Sequence, residues 1–445
     1  MKKMDTAEVY KRATSNGKFR VNKGKLYLYE KGKWKKMTVM ETPIQIRQLF
    51  DPSERLLISS RVISEVIARM EQDPEMQMEF VDATKFNYVN LHNGIFDLDT
   101  KKMIAHSKEM PFSYELDFSY IVNQQDRKMP TFNEFAKASF PKETAKKSKL
   151  VKQMLGYVIS DCVGAKIAFF LIGESNSGKS TILELIRKVI PETLITSVPL
   201  ERLGNRFNLG KLCDAKVNVC TELSEKSFQS VAVFKIMTSN EIVTAEHKGK
   251  DPFEFRVRCK SVNAGNVLPD ISNIDGYDAV LNRMMILLFP VSIPKDKQDV
   301  KLLEKLEKEK DAIFSDALDE LSELYKNGFS FEIPEDTREL KDRLASRGNV
   351  VEEFINECCI MSPQEKVHMT ELYSAFVNFC EDNFFDVQVK KSVFSQKIFR
   401  NKNLTHGKFR INGSKPLSGV KGLRLKTYEE FMKTTEETRK LSDRT

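Results

Sequence analysis

Gly173 to Ser180 read GESNSGKS: two glycines bracket four residues, and lysine and serine follow at once. This is the GxxxxGK[ST] pattern, and each fixed position has a chemical duty. The glycines let backbone N–H groups turn inward on phosphate oxygens, Lys179 reaches the β- and γ-phosphates, and Ser180 ligates Mg2+. The N-terminus of the following helix adds a favourable dipole. Gly173, Glu174, Ser175, Asn176, Ser177, Gly178, Lys179, Ser180 and Thr181 are therefore the expected cradle for ATP or GTP with Mg2+. The flanks agree. IAFFLIG before the loop is a continuous apolar run, as a buried parallel strand requires. After it, Ile182, Leu183, Leu185, Ile186, Val189 and Ile190 recur at helical spacing until Pro191.

Three later features suit hydrolysis of a bound nucleotide. KVNVCTEL reads as a strand that delivers Thr221-Glu222 at its C-terminal end, where Glu222 can polarise a water and touch Mg2+ through water. FRVRCKSVNAGNVLP ends a strand at Asn266, suited to orienting that water. DAVLNRMMILLFP sets Arg283 between a helix and a buried strand, where it can be offered to a neighbouring subunit's γ-phosphate. Between Glu222 and Asn266 lies EIVTAEHKGKDPFEFRVR, a β-rich stretch, a turn glycine and alternating Phe253, Phe255 and Val257. It predicts a hairpin with His247, Lys248 and Lys250 at its tip, a basic element fit to hold a nucleic-acid backbone.

The elements that must position these residues belong to a chain of 445 residues, enough for about three domains. It is 41% hydrophobic and 30% charged, and no apolar run of membrane-spanning length interrupts it, so a cytoplasmic protein without a membrane partner is expected. The seven cysteines are scattered and form no CxxC pair, which excludes a zinc ribbon or thioredoxin motif and leaves reduced thiols. Net charge is +8, unevenly placed. Residues 1–40 hold 12 Lys/Arg against 3 Asp/Glu, and residues 387–426 hold 11 Lys/Arg and no acid, so the remainder is acidic. Basic ends around an acidic middle suit polyanion contacts at specific places.

Residues 1–85 open with short alternating strands and pass to a helix near RVISEVIARMEQ. Asn93-Gly94 marks a hairpin turn, and residues 132–163 are mostly helical. Ile313, Phe314, Ala317, Leu318, Leu321, Leu324 and Tyr325 form an amphipathic helix closed by Asn327-Gly328. A polar linker, IPEDTRELKDRLASRGN, then leads to a last unit. There KKSVFSQKIFRNKN turns Phe394 and Ile398 inward, while Ser392, Gln396, Arg400 and Asn403 project on the other side as a recognition helix would. KFRI and VKGLRL follow as wing strands.

GESNSGKST, KVNVCTELS, EHKGKDPFEF, AGNVLP and NRMMILLFP, in this order, resemble the phosphate loop, Walker B, pore hairpin, sensor and arginine finger of superfamily 3 helicases, a branch of the AAA+ ATPases. The chain is especially similar to poxvirus-type primase-helicases of phages and mobile elements, and to the replication initiators of staphylococcal pathogenicity islands. The resemblance implies a multidomain α/β protein. Its parts would be a small basic domain at 1–85, a helical domain at 86–165, an AAA+ P-loop ATPase core at 166–292, a helical segment and linker at 293–347, a winged helix at 348–426 and a polar tail at 427–445. It further implies a hexamer that hydrolyses ATP with Mg2+ at subunit interfaces in the bacterial cytoplasm. One DNA strand would travel 3′ to 5′ through the central channel, with origin duplex on the C-terminal domain and a separate primase. Two departures stand out: 85 residues cannot hold the primase domain of larger relatives, and Thr221 stands where Walker B usually has a second acid. Two other readings stay open: a small-molecule kinase built on the same loop, and a non-motor switch that uses ATP only to assemble on an origin.

Overall fold

Two lysine–glycine turns organise the start of the chain. In a computed structural model, which describes residues 3–224, 231–269, 277–383, 391–399, 401, 403–411, 415–427 and 429–430, Lys23-Gly24 and Lys31-Gly32 all take positive φ. That is the geometry of two-residue hairpins, whose twist matches that of the flanking strands. They join β1 (Phe19–Asn22), β2 (Lys25–Glu30) and β3 (Lys33–Lys36) into an antiparallel sheet. Helix α1 (Thr6–Ser15), capped by the Asp5 side chain, precedes them, and α2 (Glu41–Gln48), α3 (Pro52–Arg55) and α4 (Ser60–Gln72) follow. Val9, Ala13, Phe19, Val21, Leu28, Ile63, Val66 and Met70 give this region its own core. The strands and α4 follow the sequence pattern. Helix α1 was not anticipated, because only Val9 and Ala13 mark its buried face.

Residues 86–165, expected as a helical domain, instead begin with strands. After α5 (Val81–Thr84), β4 (Tyr88–Leu91), β5 (Gly94–Asp97) and β6 (Lys102–Ile104) form a second antiparallel sheet. The turn expected at Asn93-Gly94 sits one residue earlier, since Leu91 pairs with Gly94 and leaves His92-Asn93 as the connection. Only then come α6 (Pro130–Ser139) and α7 (Thr144–Ile159).

The apolar run before the phosphate loop is β7 (Ala168–Gly173), and the helix after it is α8 (Lys179–Val189). The chain continues through β8 (Ile195–Thr196), α9 (Arg206–Gly210), β9 (Val217–Cys220), α10 (Val231–Ser239), β10 (Ile242–Ala245), β11 (Phe253–Arg256), β12 (Lys260–Gly265), α11 (Tyr277–Leu281) and β13 (Met284–Phe289). Five of these strands make one parallel sheet in the order β13-β7-β12-β9-β8. Strand β12 therefore separates the phosphate-loop strand from β9. FEFRVRCKSV, expected as one strand, is two. Its first part pairs with β10 as a two-stranded ribbon, and its second enters the parallel sheet, where all of Lys260–Gly265 is buried.

After the sheet come α12 (Leu302–Lys308) and α13 (Lys310–Lys326). The apolar stripe Ile313, Phe314, Ala317, Leu318, Leu321 and Leu324 is fully buried. At Gly156 of α7 an added Cβ would stand 2.2 Å from the Ala317 carbonyl oxygen, so glycine sets how closely α7 and α13 meet. One apolar cluster draws its members from Val81 to Leu321.

The chain divides into two units: Met1–Ser224, Ala232–Leu268 and Met284–Pro334 in one, and Glu225–Val231, Pro269–Arg283 and Glu335–Thr445 in the other. In the second, the polar stretch expected as a linker is helical, forming part of α14 (Glu335–Cys358). Then follow β14 (Cys359–His368), α15 (Met369–Asp382), α16 (Lys391–Phe399), β15 (Thr405–Phe409) and β16 (Leu417–Leu425). The three strands pair antiparallel in the order β14-β16-β15, and Phe354, Phe376, Phe394, Ile398, Val420 and Leu423 form the core. Of the expected strand pair, VKGLRL lies within β16, whereas the strand expected at KFRI starts three residues earlier, as β15, and ends at Phe409; β14 is additional. All seven cysteines are free thiols. Of the polar tail, residues 428 and 431–445 lie outside the described residues.

Candidate functional site

The loop between β7 and α8 is shaped by residues that tolerate unusual backbone. Gly178 has φ 100° and Asn176 has φ 60°, a region asparagine enters more readily than most residues. Gly173 is required for a different reason: a Cβ there would lie 2.2 Å from the Phe289 carbonyl oxygen on β13. Among the described residues, the backbone N–H groups of Ser175, Asn176 and Gly178 donate no hydrogen bond within the protein, so they remain available to an anion. Two neighbours brace the loop. Ser292 Oγ donates to the Ser175 carbonyl at 2.8 Å, and Ile293 N–H donates to the Asn176 carbonyl at 3.0 Å.

Lys179 is buried, and its Nζ donates to the carbonyls of Gly173 (2.7 Å) and Glu174 (2.6 Å) and to Ser177 Oγ (3.2 Å). Burial lowers its pKa from the ordinary lysine value. Ser180 is exposed in the first turn of α8, and Thr181 beside it is half-buried. Glu174, Ser175 and Asn176 are exposed, whereas Ser177 is buried.

Parallel register brings Glu222 and Asn266 to the same edge of the sheet. Gly265 pairs with Ile172 and Asn263 with Cys220, and Leu223 N–H continues the ladder to the Ala264 carbonyl at 3.0 Å. Glu222 therefore leaves β9, and Asn266 leaves β12, at the level where the phosphate loop leaves β7. Adjacent strands lie about 4.8 Å apart, so β7 and β9 are separated by about 10 Å, with Asn266 issuing from the strand between them. Both side chains are exposed, and among the described residues neither makes a hydrogen bond. Thr221 is exposed beside Glu222. Among the described residues no group of three His, Cys, Asp or Glu could hold a metal ion. The Ser180 hydroxyl is a donor of the kind that can ligate Mg2+ beside phosphate and water.

Arg283 is not brought to this edge. It directly precedes β13, whose first residue Met284 pairs with Ala168, the first residue of β7. The strand thus starts at the edge opposite the phosphate loop. Arg283 is half-buried and donates from Nη1 to the Ala279 carbonyl at 3.0 Å.

The stretch between Glu222 and Asn266 forms a hairpin of β10 and β11, with Val243 opposite Phe255 and Ala245 opposite Phe253. His247, Lys248 and Lys250 lie in its connection and are exposed, with Gly249 at φ 74° and Lys250 N–H on the His247 carbonyl at 3.0 Å. Sequence could not separate their roles. The His247 ring stacks on Phe253, 4.7 Å between centroids and 28° between planes. Among the described residues no such contact ties down the two lysines. The hairpin feeds β12 at Lys260, at the edge opposite the phosphate loop, so β12 joins the hairpin to Asn266.

No sequence motif singles out Lys260. It is fully buried, donates from Nζ to the Ser160 carbonyl at 2.5 Å, and has its pKa lowered to about 8 by desolvation and then by Lys216. Lys216 pairs with Asp161 and lies 3.9 Å from the Tyr114 ring centroid. Only the identity of a lysine at the start of an apolar strand hinted at this anchor. On α16, Phe394 and Ile398 are buried and Ser392 and Gln396 exposed; Asn403, beyond the helix, is exposed as well. Arg400 lies outside the described residues.

Residues 171–283 match a family of unknown function (DUF5906). That span begins within β7 and ends at Arg283, so it contains the phosphate loop, Glu222, the hairpin and Asn266. Residues 7–141 match the family described as D5 N terminal like. No curated protein matches the chain. The chain is similar to solved apo structures of the NrS-1 C-terminal region. One gives a TM-score of 0.51 at 10% identity, covering 94% of this chain and 100% of that one. A second gives 0.51 at 11%, covering 95% and 100%. At such identity the likeness is one of fold. No helix among the described residues is long and apolar enough to cross a membrane.

Proposed function

We propose that the chain is a DNA-replication helicase of the phage-type primase-helicase class, driven by ATP, which also recognises the replication origin of a mobile element. The observation that carries this is the layout of β12. At one end its neighbours gather the phosphate loop, Glu222 and Asn266; at the other it begins from a hairpin with an exposed Lys248 and Lys250. The D5 N terminal like match and the fold shared with the NrS-1 C-terminal region support the class. The strand order around the phosphate loop supports the AAA+ reading, and α15, α16 and the β14-β16-β15 sheet support a winged helix.

ATP bound here supplies the free energy of its terminal anhydride. The protein's own groups do the rest. The loop N–H groups and Lys179 would hold phosphate oxygens, and Ser180 would ligate Mg2+. A Glu222 carboxylate oxygen orients water and takes its proton, and Asn266 aligns that water. Arg283, just before β13 in the chain, completes the site of the next subunit in a hexameric ring. Lys248 and Lys250 grip the phosphates of one strand, and β12 transmits displacement between the sites. Origin duplex lies on the C-terminal unit through Ser392 and Gln396 of α16 and through Arg400, and a separate primase supplies primers.

The second reading, a non-motor switch that assembles on an origin, draws support from Thr221: one carboxylate rather than two favours slow hydrolysis. Strand separation on a forked duplex, measured for wild type and Lys179→Ala side by side, decides. Unwinding by the wild type alone is the expected result. ATP hydrolysis without unwinding would sink the motor and favour the switch.

A further inference from the structure

Among the described residues, one buried hydroxyl beside the phosphate loop lacks a hydrogen-bond partner. Ser139, in the last turn of α6, has no exposed surface, and its Oγ has no hydrogen-bond partner among the described residues. A helical serine can return its hydroxyl to a carbonyl three or four residues back. Ser64, Ser315 and Ser395 do so, to Ser60, Asp311 and Lys391, and the buried Ser322 finds the Leu98 carbonyl instead. Ser139 does neither. Its Oγ instead lies against Gly178: a Cβ built there would stand 2.9 Å from it, and 2.7 Å from Cε2 of Phe135.

The helix that carries it is firmly held. The Thr131 and Phe132 N–H groups donate to the two carboxylate oxygens of Glu309 at 2.9 and 3.0 Å. Phe140, the next residue after Ser139, packs on Phe289 with ring centroids 4.8 Å apart. Phe289 is the residue that closes over Gly173. The hydroxyl is therefore presented to the loop from a fixed base, while the loop is bonded to itself through Lys179.

We propose that Ser139 is a positioning residue for nucleoside triphosphate, its hydroxyl kept for a hydrogen bond to the phosphate loop that forms only when phosphate draws Lys179 away from Gly173, Glu174 and Ser177. This rests on the nucleotide-binding reading of the loop. A buried hydroxyl left unmatched destabilises the resting protein, and matching it on binding adds affinity. The device couples occupancy of the loop to α6, and through Glu309 to the junction of α12 and α13.

The test compares wild type, Ser139→Ala, Ser139→Cys and Lys179→Ala, each with two readouts. These are the thermal midpoint without nucleotide, and the affinity for a fluorescent, non-hydrolysable ATP analogue with Mg2+. Ser139→Ala is expected to keep or raise the midpoint while weakening binding roughly fivefold to tenfold. Ser139→Cys, which preserves volume and donates poorly, is expected to weaken binding similarly. A lowered midpoint with unchanged affinity in both variants would overturn the proposal, since the hydroxyl would then serve the resting fold. Unchanged values for both readouts would overturn it as well. If the wild type binds no better than Lys179→Ala, the nucleotide reading falls and takes Ser139 with it; if it binds better, only the Ser139 result is at issue.

Discussion

The Lys179 ammonium donates to the Glu174 carbonyl at 2.6 Å, across the mouth of the loop that should carry phosphate. With Gly173 and Ser177 as its other partners, all three of its protons are used within the loop. The resting site is thus closed on its own lysine, and an incoming anion must exchange these bonds. Lys179→Ala is expected to lower ATP turnover by at least about 100-fold, on the scale of removing a preorganised charge from a developing anion. Steady-state phosphate release measures it; turnover near wild type would remove Lys179 from the site.

Gly178→Ala tests the loop's shape rather than its charge. The backbone sits at φ 100°, and the new methyl would fall 2.7 Å from Phe135. The left-handed conformation costs about 1–2 kcal/mol for an L-residue, and the forced shift of a packed ring adds roughly 1–3 kcal/mol. Chemical denaturation should report a loss within the sum of these ranges, together with loss of nucleotide binding. An unchanged midpoint would mean that the loop can relax to a right-handed form.

Lys260 gives a pH test. Its pKa in the folded protein is about 8, below the unfolded lysine value of 10.5. Between those values the unfolded chain binds more protons than the folded one, so stability contributed at this site rises with pH. Below about 8 the cost of burying the charge is fully present. Lys260→Met carries no such charge, so the variant's stability relative to wild type is expected to fall as pH goes from about 7.5 to 10. Denaturant midpoints of both proteins across that range measure it. Parallel curves would mean that Lys260 stays protonated throughout.

Legibility in the sequence tracked how local the cause was. The phosphate loop, α8 and the α13 stripe are written in contiguous residues with fixed spacing, and the observed elements follow them. The β10–β11 hairpin was legible because the alternation of Phe253, Phe255 and Val257 needs only the pleat. The division of FEFRVRCKSV was not, because both halves carry β-forming residues and only the sheet decides which strand each part pairs with. The polar stretch after Pro334 looked like a linker through its composition, yet α14 buries Val350, Val351 and Phe354 at its far end and continues back from them. Ser139 and the Ser292–Ile293 brace were invisible for a different reason: each touches the loop from dozens of residues or more away, in segments without any motif.

The hairpin offers the most discriminating test of DNA contact, because its three expected tip residues now divide. His247 is stacked on Phe253, so His247→Ala should cost up to about 1 kcal/mol of stability, typical of an aromatic pair, and disturb the ribbon. Lys248 and Lys250 are exposed and carry no comparable packing. Lys248→Ala should therefore leave stability and the ATPase measured without DNA unchanged, while weakening single-stranded DNA binding and abolishing unwinding. Each phosphate contact contributes about 0.7 to the slope of log affinity against log salt for a single strand. Titrations at several salt concentrations should give a slope shallower by about that amount for Lys248→Ala, and by about twice that for Lys248→Ala with Lys250→Ala. A uniform loss of affinity with the slope unchanged would mean that these lysines shape the turn without touching phosphate, and would move the strand's grip to another part of the chain.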